Sequence, residues 1–115
     1  MAENKRSTGS HYEEVAAEYL RNQGLQILEK NFRSRQGEID LVALDGSYLV
    51  FVEVKYRKDG QMGAPSEAVG YQKQMKIRKV ALYYLCLHHY PETAPCRFDV
   101  VGIQGETVRW IRNAF

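Results

Sequence analysis

Three carboxylates and one lysine stand on two neighbouring strand-like runs of this 115-residue chain. Glu38 and Asp40 lie in the first run, GEIDLVAL, and Glu53 and Lys55 lie in the second, SYLVFVEVK. The Asp45-Gly46 pair between the runs is typical of a tight β-hairpin turn. Carboxylates gathered at this spacing are side chains that can hold a divalent cation.

The expected register of the hairpin brings these polar side chains to one face of the sheet. With Asp45-Gly46 as a two-residue turn, Glu38 falls opposite Glu53, and Asp40 falls opposite Phe51. Opposed residues point to the same side of a sheet, as do residues two apart on one strand. The predicted acidic hairpin face therefore comprises Glu38, Asp40, Glu53 and Lys55.

Three carboxylates on one face repel one another, and like charges directly opposed destabilise a sheet. One lysine offsets this repulsion only in part, whereas Mg²⁺ binds carboxylates together with water and phosphate oxygens. The second run is apolar on both faces, which is typical of a central strand covered on both sides. A solvated surface hairpin is the alternative interpretation, but acidic groups at the end of a covered strand are partly buried and need a partner.

Asp40, followed after a short hairpin by Glu53-Val54-Lys55, resembles the PD-(D/E)xK signature of the restriction-endonuclease-like superfamily. The longer string resembles the bacterial UPF0102, or YraN-like, family of predicted endonucleases, and the resemblance covers nearly the whole chain. Tyr12 stands where that family usually has Gly before the glutamate of its first helix. The matching pieces are Gly9, Glu13, Ala16, Tyr19, Leu20, Asn31, Arg33, Gly37-Glu38-Ile39-Asp40-Leu41, Phe51-Val52-Glu53-Val54-Lys55, Arg57, Lys73, Ala81, Arg97-Phe98-Asp99 and Asn113-Ala114-Phe115.

The resemblance implies a metal-dependent nuclease with Mg²⁺, or Mn²⁺, as its cofactor. Lys55 would orient or activate water and stabilise the charge that develops at phosphorus. The implied catalytic residues are Asp40, Glu53, Lys55 and Glu13. The implied metal ligands are Asp40, Glu53, the Val54 carbonyl and Glu13, with Glu38 as a further ligand or as a group that supports one.

Basic side chains precede and follow the hairpin, although the net charge of the whole chain is only +2. Between Ala68 and Lys79 there are four basic residues and no acidic one. Such local patches can bind a phosphate backbone. Each can also be an ordinary solvated surface, and Lys73 can pack its stem beside the core. The candidate nucleic-acid contacts are Arg33, Arg57, Lys58, Lys73, Lys76 and Lys79.

Periodicity and turn signals predict an α/β fold with a mixed central β-sheet flanked by helices, and the resemblance implies its restriction-endonuclease-like version. Helices are expected over residues 10–22 and 66–89, and strands over 25–33, 38–44, 48–55, 97–103 and 107–111, with a turn at Gln104-Gly105. Residues 1–9 are predicted to be a disordered tail and 10–115 a single nuclease-like domain, which suits the chain length. Residues 56–66 are predicted to form a mobile loop, and Asp99 is predicted to be structural.

Cys86 and Cys96 have neither CxxC spacing nor a histidine pattern beside them, so reduced thiols without a metal are expected. No apolar run approaches the ~18 residues of a membrane-spanning helix, and the N-terminal residues lack the apolar core of a signal peptide. His88 and His89 end the second predicted helix, where we expect no catalytic role. These features predict a cytoplasmic protein without a membrane partner.

The sequence thus predicts a Mg²⁺-dependent DNA endonuclease. The likeness to Holliday-junction resolvases makes branched DNA a candidate substrate and a homodimer a candidate assembly, because two strands need two sites. Three alternatives stay open. One is a non-catalytic nucleic-acid-binding module that keeps the acidic site for metal or backbone contact. The second is an RNA-directed nuclease, and the third is an interaction protein whose acidic hairpin face is a docking surface independent of metal.

Overall fold

The chain forms two helices and five strands in the computed structural model, which describes residues 5–57 and 69–115, with side chains from residue 11 onward. In chain order they are helix α1 (Lys5–Asn22), strands β1 (Gln26–Ser34), β2 (Gly37–Asp45) and β3 (Tyr48–Arg57), helix α2 (Tyr71–Leu87), and strands β4 (Cys96–Gln104) and β5 (Thr107–Ile111). Every helix and strand expected from the sequence is present.

The boundaries of both helices differ from those expected. α1 begins at Lys5 rather than at about residue 10, and α2 runs from Tyr71 to Leu87 rather than from residue 66 to 89. Gly70 has an extended backbone directly before α2, which sets the start of that helix. Of the predicted loop 56–66, the first two residues belong to β3 and the rest lies outside the described residues. The predicted division into a tail and a domain stays a prediction. Within the described ranges, neither helix is long and apolar enough to cross a membrane.

The five strands form one mixed sheet in the order β1-β2-β3-β4-β5. β3 and β4 are parallel, and the other neighbouring pairs are antiparallel. Parallel neighbours need a crossover connection, and α2 lies in the connection between β3 and β4. α1 packs on one face of the sheet and α2 packs on the other. The predicted α/β fold with a mixed central sheet flanked by helices is confirmed.

β3 is the central strand, and both of its faces are buried. Toward α2 it contributes Leu49 and Phe51, which pack in one apolar cluster with Ile77, Val80 and Tyr84. Toward α1 its valines pack with small and apolar helix residues. This second cluster includes Val50, Val52, Ala16, Ala17 and Leu20. The expected cover on both sides is confirmed, so an acidic side chain on this strand loses contact with water.

The β2–β3 hairpin turns one residue later than expected. Asp45 pairs with Tyr48, so the turn residues are Gly46 and Ser47 rather than Asp45 and Gly46. Gly46 has φ +61° as the first turn residue, which is the place that a type II′ hairpin turn gives to glycine. The predicted turn position is therefore wrong by one residue.

This later turn changes the facing residues of the hairpin but not their side of the sheet. Phe51 faces Val42 rather than Asp40. The predicted pairing of Glu38 with Glu53 is wrong for the same reason. A two-residue shift of facing positions keeps each side chain on its side of the sheet, whereas a one-residue slip would have reversed every side chain.

The β4–β5 hairpin shows the same displacement. Gln104 pairs with Thr107, so the turn residues are Gly105 and Glu106 rather than Gln104 and Gly105. Gly105 has φ +57°. In both hairpins the glycine stands first in the turn, because that position needs a positive φ that other residues adopt only with strain.

Asp99 is fully buried and accepts hydrogen bonds from three groups. Arg97 Nε donates to it at 3.0 Å, and Trp110 Nε1 and the Asn113 backbone N–H each donate at 2.9 Å. Arg97 Nη2 also donates to Asp45 Oδ2 at 3.0 Å, which ties β4 to the turn end of β2. A buried carboxylate is stable where it is paired and hydrogen-bonded in this way. The prediction that Asp99 is structural is confirmed.

Candidate functional site

A pocket of about 650 Å³ opens where the first residues of β2, the second half of β3 and the first turns of α2 meet. Glu38, Asp40 and Glu53 line it from the sheet, and Lys73 and Lys76 line it from α2. Three members of the predicted acidic hairpin face and two of the predicted phosphate contacts thus share one pocket.

β2 and β3 part at Asp40. The β2–β3 ladder ends at the pair Leu41 and Val52. Beyond this pair, the Val54 N–H donates to Asp40 Oδ2 at 2.8 Å. A side-chain carboxylate thus satisfies a backbone donor of the neighbouring strand. The hydrogen bond fixes the Asp40 carboxylate between the two strands.

A second irregularity of the sheet lies at Asn31 on β1. Asn31 has φ +56°, and the pairing of β1 with β2 skips it before resuming at Phe32 and Ile39. Asparagine tolerates this left-handed backbone better than most residues. Its side chain hydrogen-bonds Glu13 of α1. The irregularity therefore links β1 to the helix residue that reaches the site.

Glu13, Glu38 and Asp40 form the acid cluster, in which one carboxylate oxygen from each residue lies within 4.8 Å of the others. All three side chains are half-buried. Glu13 belongs to α1, which covers the sheet face opposite to α2. Its carboxylate reaches those of Glu38 and Asp40 where β2 and β3 separate. Among the described residues this is the one group of three or more His, Cys, Asp or Glu side chains with such spacing. Cys86 and Cys96 are free thiols outside it.

Glu53 is the most deeply buried carboxylate of the pocket, with 7% of its side chain exposed, and Lys73 Nζ forms an ion pair with its Oε2. The Lys73 side chain is 55% exposed. The sequence predicted Lys73 as a phosphate contact or a packed stem, and it missed this partner. No local pattern links the two residues, because they stand on either side of the β3–α2 connection. Glu38 also has a basic partner, Arg33 Nε, at 3.3 Å.

Burial and neighbouring charge raise the pKa of Asp40 to about 8. Burial is the largest cause, the Glu53 charge is the next, and Glu13 and Glu38 add smaller repulsion. The hydrogen bond from the Val54 N–H acts in the opposite direction. Burial and the neighbouring carboxylates therefore disfavour a negative charge on Asp40, and protonation of this carboxyl relieves the repulsion among the acidic side chains.

Two further groups of the site have shifted pKa values. Burial raises the pKa of Glu13, a hydrogen bond with Asn31 opposes the rise, and the Glu38 charge adds to it. Burial acts to lower the pKa of Lys73, but the Glu53 carboxylate outweighs burial and the pKa is raised. The negative charge of Glu53 is thus offset by the Lys73 ammonium group, whereas a negative charge on Asp40 is disfavoured by burial and by the neighbouring carboxylates.

Lys55 follows Glu53 by two positions on β3 and is half-buried. β3 pairs with β4 in unbroken register from Leu49 to Arg57, so Glu53 and Lys55 alternate onto one face. Lys55 is not among the described residues that line the pocket. Its catalytic role stays a prediction. The ligand role of the Val54 carbonyl also stays a prediction, since the Val54 group that contacts Asp40 is the N–H.

Among the described residues, the candidate phosphate contacts Arg33, Arg57 and Lys79 do not line the pocket. Arg57 is half-buried at the end of β3, Lys79 is exposed on α2, and Lys58 lies outside the described residues. Arg78 belongs to the same basic stretch but stacks on Phe98, with 4.8 Å between the guanidinium carbon and the ring centroid. The four basic residues between Ala68 and Lys79 therefore have different surroundings. Lys73 and Lys76 line the pocket, Arg78 packs on a residue of the sheet, and Lys79 is exposed.

Tyr12, which precedes Glu13, stacks on Tyr56 with ring centroids 3.9 Å apart and 17° between the ring planes. Tyr56 lies on β3, beyond the residue at which the sequence predicted that strand to end. This stack joins α1 to the last residues of β3. It therefore holds the part of α1 that carries Glu13 against the sheet.

Asp40→Asn should make stability in EDTA less sensitive to pH. A carboxyl whose folded-state pKa is raised contributes stability below its unfolded pKa of roughly 4, and this contribution is lost as pH rises toward about 8. The wild type should lose up to about 1.4 kcal/mol for each pH unit in this range. Asp40→Asn should lose less, because asparagine carries no charge and can still accept the Val54 N–H bond.

Urea unfolding at pH 5 and pH 8 measures this difference. Glu92→Gln removes an exposed carboxylate outside the pocket and serves as the control. Equal pH dependence of the wild type and Asp40→Asn would show that Asp40 is ionised in the folded protein at neutral pH.

Several bacterial proteins match the chain over almost its whole length. A UPF0102 protein of Lachnoclostridium phytofermentans is 53% identical over 112 residues, which cover 97% of this chain and 95% of the relative. A UPF0102 protein of Colwellia psychrerythraea is 46% identical over 121 residues, covering 99% and 94%. One of Thermodesulfovibrio yellowstonii is 44% identical over 107 residues, covering 93% and 94%. The model of the family described as "Uncharacterised protein family UPF0102" matches residues 12–103. The chain therefore belongs to the UPF0102 family.

Proposed function

We propose that this protein is a metal-dependent endonuclease that hydrolyses phosphodiester bonds in DNA, with Mg²⁺ or Mn²⁺ at the acid cluster. The observation that carries the proposal is the approach of Glu13, Glu38 and Asp40 oxygens to within 4.8 Å. They meet at a pocket that also contains the buried Glu53 and two lysines. The family resemblance of the Asp40 and Glu53-Val54-Lys55 pattern to nucleases supports the same function.

The donor set suits a hard divalent cation. Carboxylate oxygens are preferred ligands of Mg²⁺, and oxygens at this spacing can contact a single ion. The raised pKa of Asp40 is further support, because it arises from burial and unbalanced negative charge that a cation would relieve. The residues that would hold the ion are Asp40, Glu53, Glu13 and the Val54 carbonyl, with Glu38 as a further ligand or a supporting group.

A bound Mg²⁺ would supply polarisation of a phosphoryl oxygen and neutralisation of its charge. Lys55, which shares a strand face with Glu53, would stabilise the charge that grows at phosphorus only in the transition state. Lys73 and Lys76 would bind phosphate oxygens of the backbone. Arg33 would keep Glu38 in place through its contact at 3.3 Å. These residues together would bind, orient and stabilise one phosphodiester group.

The charges around the pocket favour a phosphate ligand over a basic protein partner. The sheet side is acidic, whereas the α2 side presents Lys73 and Lys76 and has no acidic residue in the first turn of the helix. A basic docking partner would meet repulsion from these lysines. A metal ion together with phosphate complements both sides. Within DNA we propose branched molecules cut by a homodimer, since paired cuts in two strands need two sites.

Mg²⁺ or Mn²⁺ should raise the melting temperature of the wild type. A ligand that binds only the folded state stabilises it by about 2.7 kcal/mol when its concentration is 100 times Kd. Asp40→Asn should lose most of this rise, because it removes a charged ligand, and Glu92→Gln should keep it. Thermal unfolding in EDTA and in increasing Mn²⁺ provides the measurement. Identical responses of the wild type and Asp40→Asn to the metal would remove Asp40 from the ligand set.

Lys55→Ala should keep metal binding and most DNA affinity while cleavage slows by roughly 10²–10³-fold, the usual effect of losing one preorganised electrostatic donor. Lys55→Arg should restore little, because the guanidinium is bulkier and does not give up its proton. Single-turnover rates with saturating enzyme and Mg²⁺ or Mn²⁺ are compared on single-stranded, duplex, flap and four-way-junction DNA and on matched RNA. Lys30→Ala, which opens an ion pair with Glu14 on α1, is the control.

Wild-type cleavage rates in Lys55→Ala would exclude Lys55 from the mechanism. Preferential cleavage of RNA would replace DNA with RNA as the substrate. If the wild type binds metal and DNA but cuts none of these molecules, the protein is a non-catalytic nucleic-acid-binding module.

Lys76→Ala combined with Lys79→Ala should weaken DNA binding without sequence preference and flatten its salt dependence. Each lost phosphate contact should reduce the slope of log K against log salt by about 0.9 on duplex DNA. The control is Arg109→Ala combined with Arg112→Ala, which also removes two positive charges. Arg109 lies on β5 and Arg112 follows that strand, two strands away from β3. This control should change the slope less. Fluorescence anisotropy over a salt series measures both. An unchanged slope in the lysine variant would assign these lysines to an ordinary solvated surface.

A further inference from the structure

The ion pair of Lys73 and Glu53 joins two side chains of very different exposure, 55% for the lysine and 7% for the glutamate. Glu53 lies on the central strand β3, and Lys73 is the third residue of α2. The glutamate belongs to the central strand of the sheet and is almost wholly buried. The lysine has a long flexible stem and is already half in water. The pair is therefore opened most easily by movement of Lys73.

We propose that Lys73 is a displaceable counter-ion, which holds Glu53 in the metal-free protein and moves to a substrate phosphate when Mg²⁺ or Mn²⁺ binds. Metal and DNA would then bind cooperatively. This inference rests on the proposed nuclease function, since it concerns the same metal and the same phosphate group.

Competition for one carboxylate is the reason for the exchange. A divalent cation at Asp40 and Glu53 attracts the glutamate more strongly than a single ammonium charge does, and it repels that ammonium. Without phosphate, the displaced Lys73 stands beside a second cation, which opposes metal binding. With phosphate present, the ammonium gains an anionic partner and this opposition is removed. Each ligand therefore favours the binding of the other.

The surroundings of Lys73 suit a phosphate. Lys76 lies three positions further along α2, on the same side of the helix, and lines the same pocket. The Gly70 N-cap provides no side-chain hydrogen bond to the helix, and the first turn has no acidic residue. The positive end of the helix dipole therefore adds to the two lysines. A phosphate that accepts the released ammonium of Lys73 also meets these other positive groups.

The test compares Lys73→Gln with Lys76→Gln. Both variants lose one positive charge from the same helix and pocket, but only Lys73→Gln removes the partner of Glu53. Mn²⁺ affinity is measured by electron paramagnetic resonance of the free ion, alone and with a short phosphorothioate duplex DNA. In the wild type we expect the duplex to tighten Mn²⁺ binding about tenfold, within the usual range for coupled sites.

Lys73→Gln should bind Mn²⁺ alone several-fold more tightly than the wild type, because the competing ammonium is gone. The duplex should then have little further effect on Mn²⁺ affinity. Lys76→Gln should bind the duplex more weakly but keep most of the coupling. Lys73→Arg can re-form an ion pair with Glu53, so it should resemble the wild type.

Two simpler roles of Lys73 give different results. If Lys73 only holds Glu53 in position, Lys73→Gln weakens Mn²⁺ binding. If Lys73 only binds the backbone, Lys73→Gln leaves Mn²⁺ binding unchanged and weakens duplex binding. Either result, or wild-type coupling in Lys73→Gln, overturns the exchange and leaves the proposed function intact. A wild type that does not bind Mn²⁺ overturns the proposed function itself.

Discussion

The carboxylate of Asp40, held where β2 and β3 part, is the constraint on which the arrangement of the site depends. Its hydrogen bond from the Val54 N–H, at 2.8 Å, takes the place of further pairing between the strands. Glu13 can approach Asp40 from α1, and Glu53 can approach it from β3, because the strands separate at this point. The helices that cover the sheet also remove water from Asp40. The same packing that stabilises the fold therefore makes a negative charge on Asp40 costly.

Asp40 and Asp99 show two ways of accommodating an aspartate inside one sheet. Asp99 is fully buried, and the donors of Arg97, Trp110 and Asn113 balance its charge. Asp40 accepts one hydrogen bond from a backbone N–H. The charged groups that act on it are the carboxylates of Glu53, Glu13 and Glu38. Asp99 thus has the donors that a structural carboxylate needs. Asp40 lacks a comparable set within the described residues, and a cation from outside the chain would supply the missing charge.

The sequence predicted the element order and the meeting of Glu38, Asp40 and Glu53 because both follow from local rules. Alternation along a strand decides the side on which a residue points, and a two-residue error in pairing does not change that side. The turns predicted at Asp45-Gly46 and Gln104-Gly105 were misplaced because glycine fits a two-residue turn as its second residue as well as its first. The contact of Asp45 with Arg97, distant in sequence, accompanies the second arrangement.

Other features depend on contacts that no local pattern contains. The asparagine in the β1 run was a signal for the irregularity at Asn31, since this residue type accepts a left-handed backbone. Its bond to Glu13 requires α1 to lie on the sheet in one particular way. The pairing of Lys73 with Glu53 likewise depends on how the β3–α2 connection returns to the sheet. Alternation and helical periodicity describe single elements, so they cannot predict contacts between elements.

The acid cluster also has a consequence for how the chain folds and unfolds. The β2–β3 hairpin needs only local contacts, whereas the parallel pairing of β3 with β4 and the docking of both helices close long loops. We infer that Asp40 loses its water late, when the helices cover a hairpin that has already formed. Interactions absent from the folding transition state act mainly on the unfolding rate. Repulsion at Asp40 should therefore hasten unfolding far more than it slows folding, as the two arms of a chevron plot would reveal. A proton or a cation at this carboxylate would act chiefly by lengthening the lifetime of the folded chain.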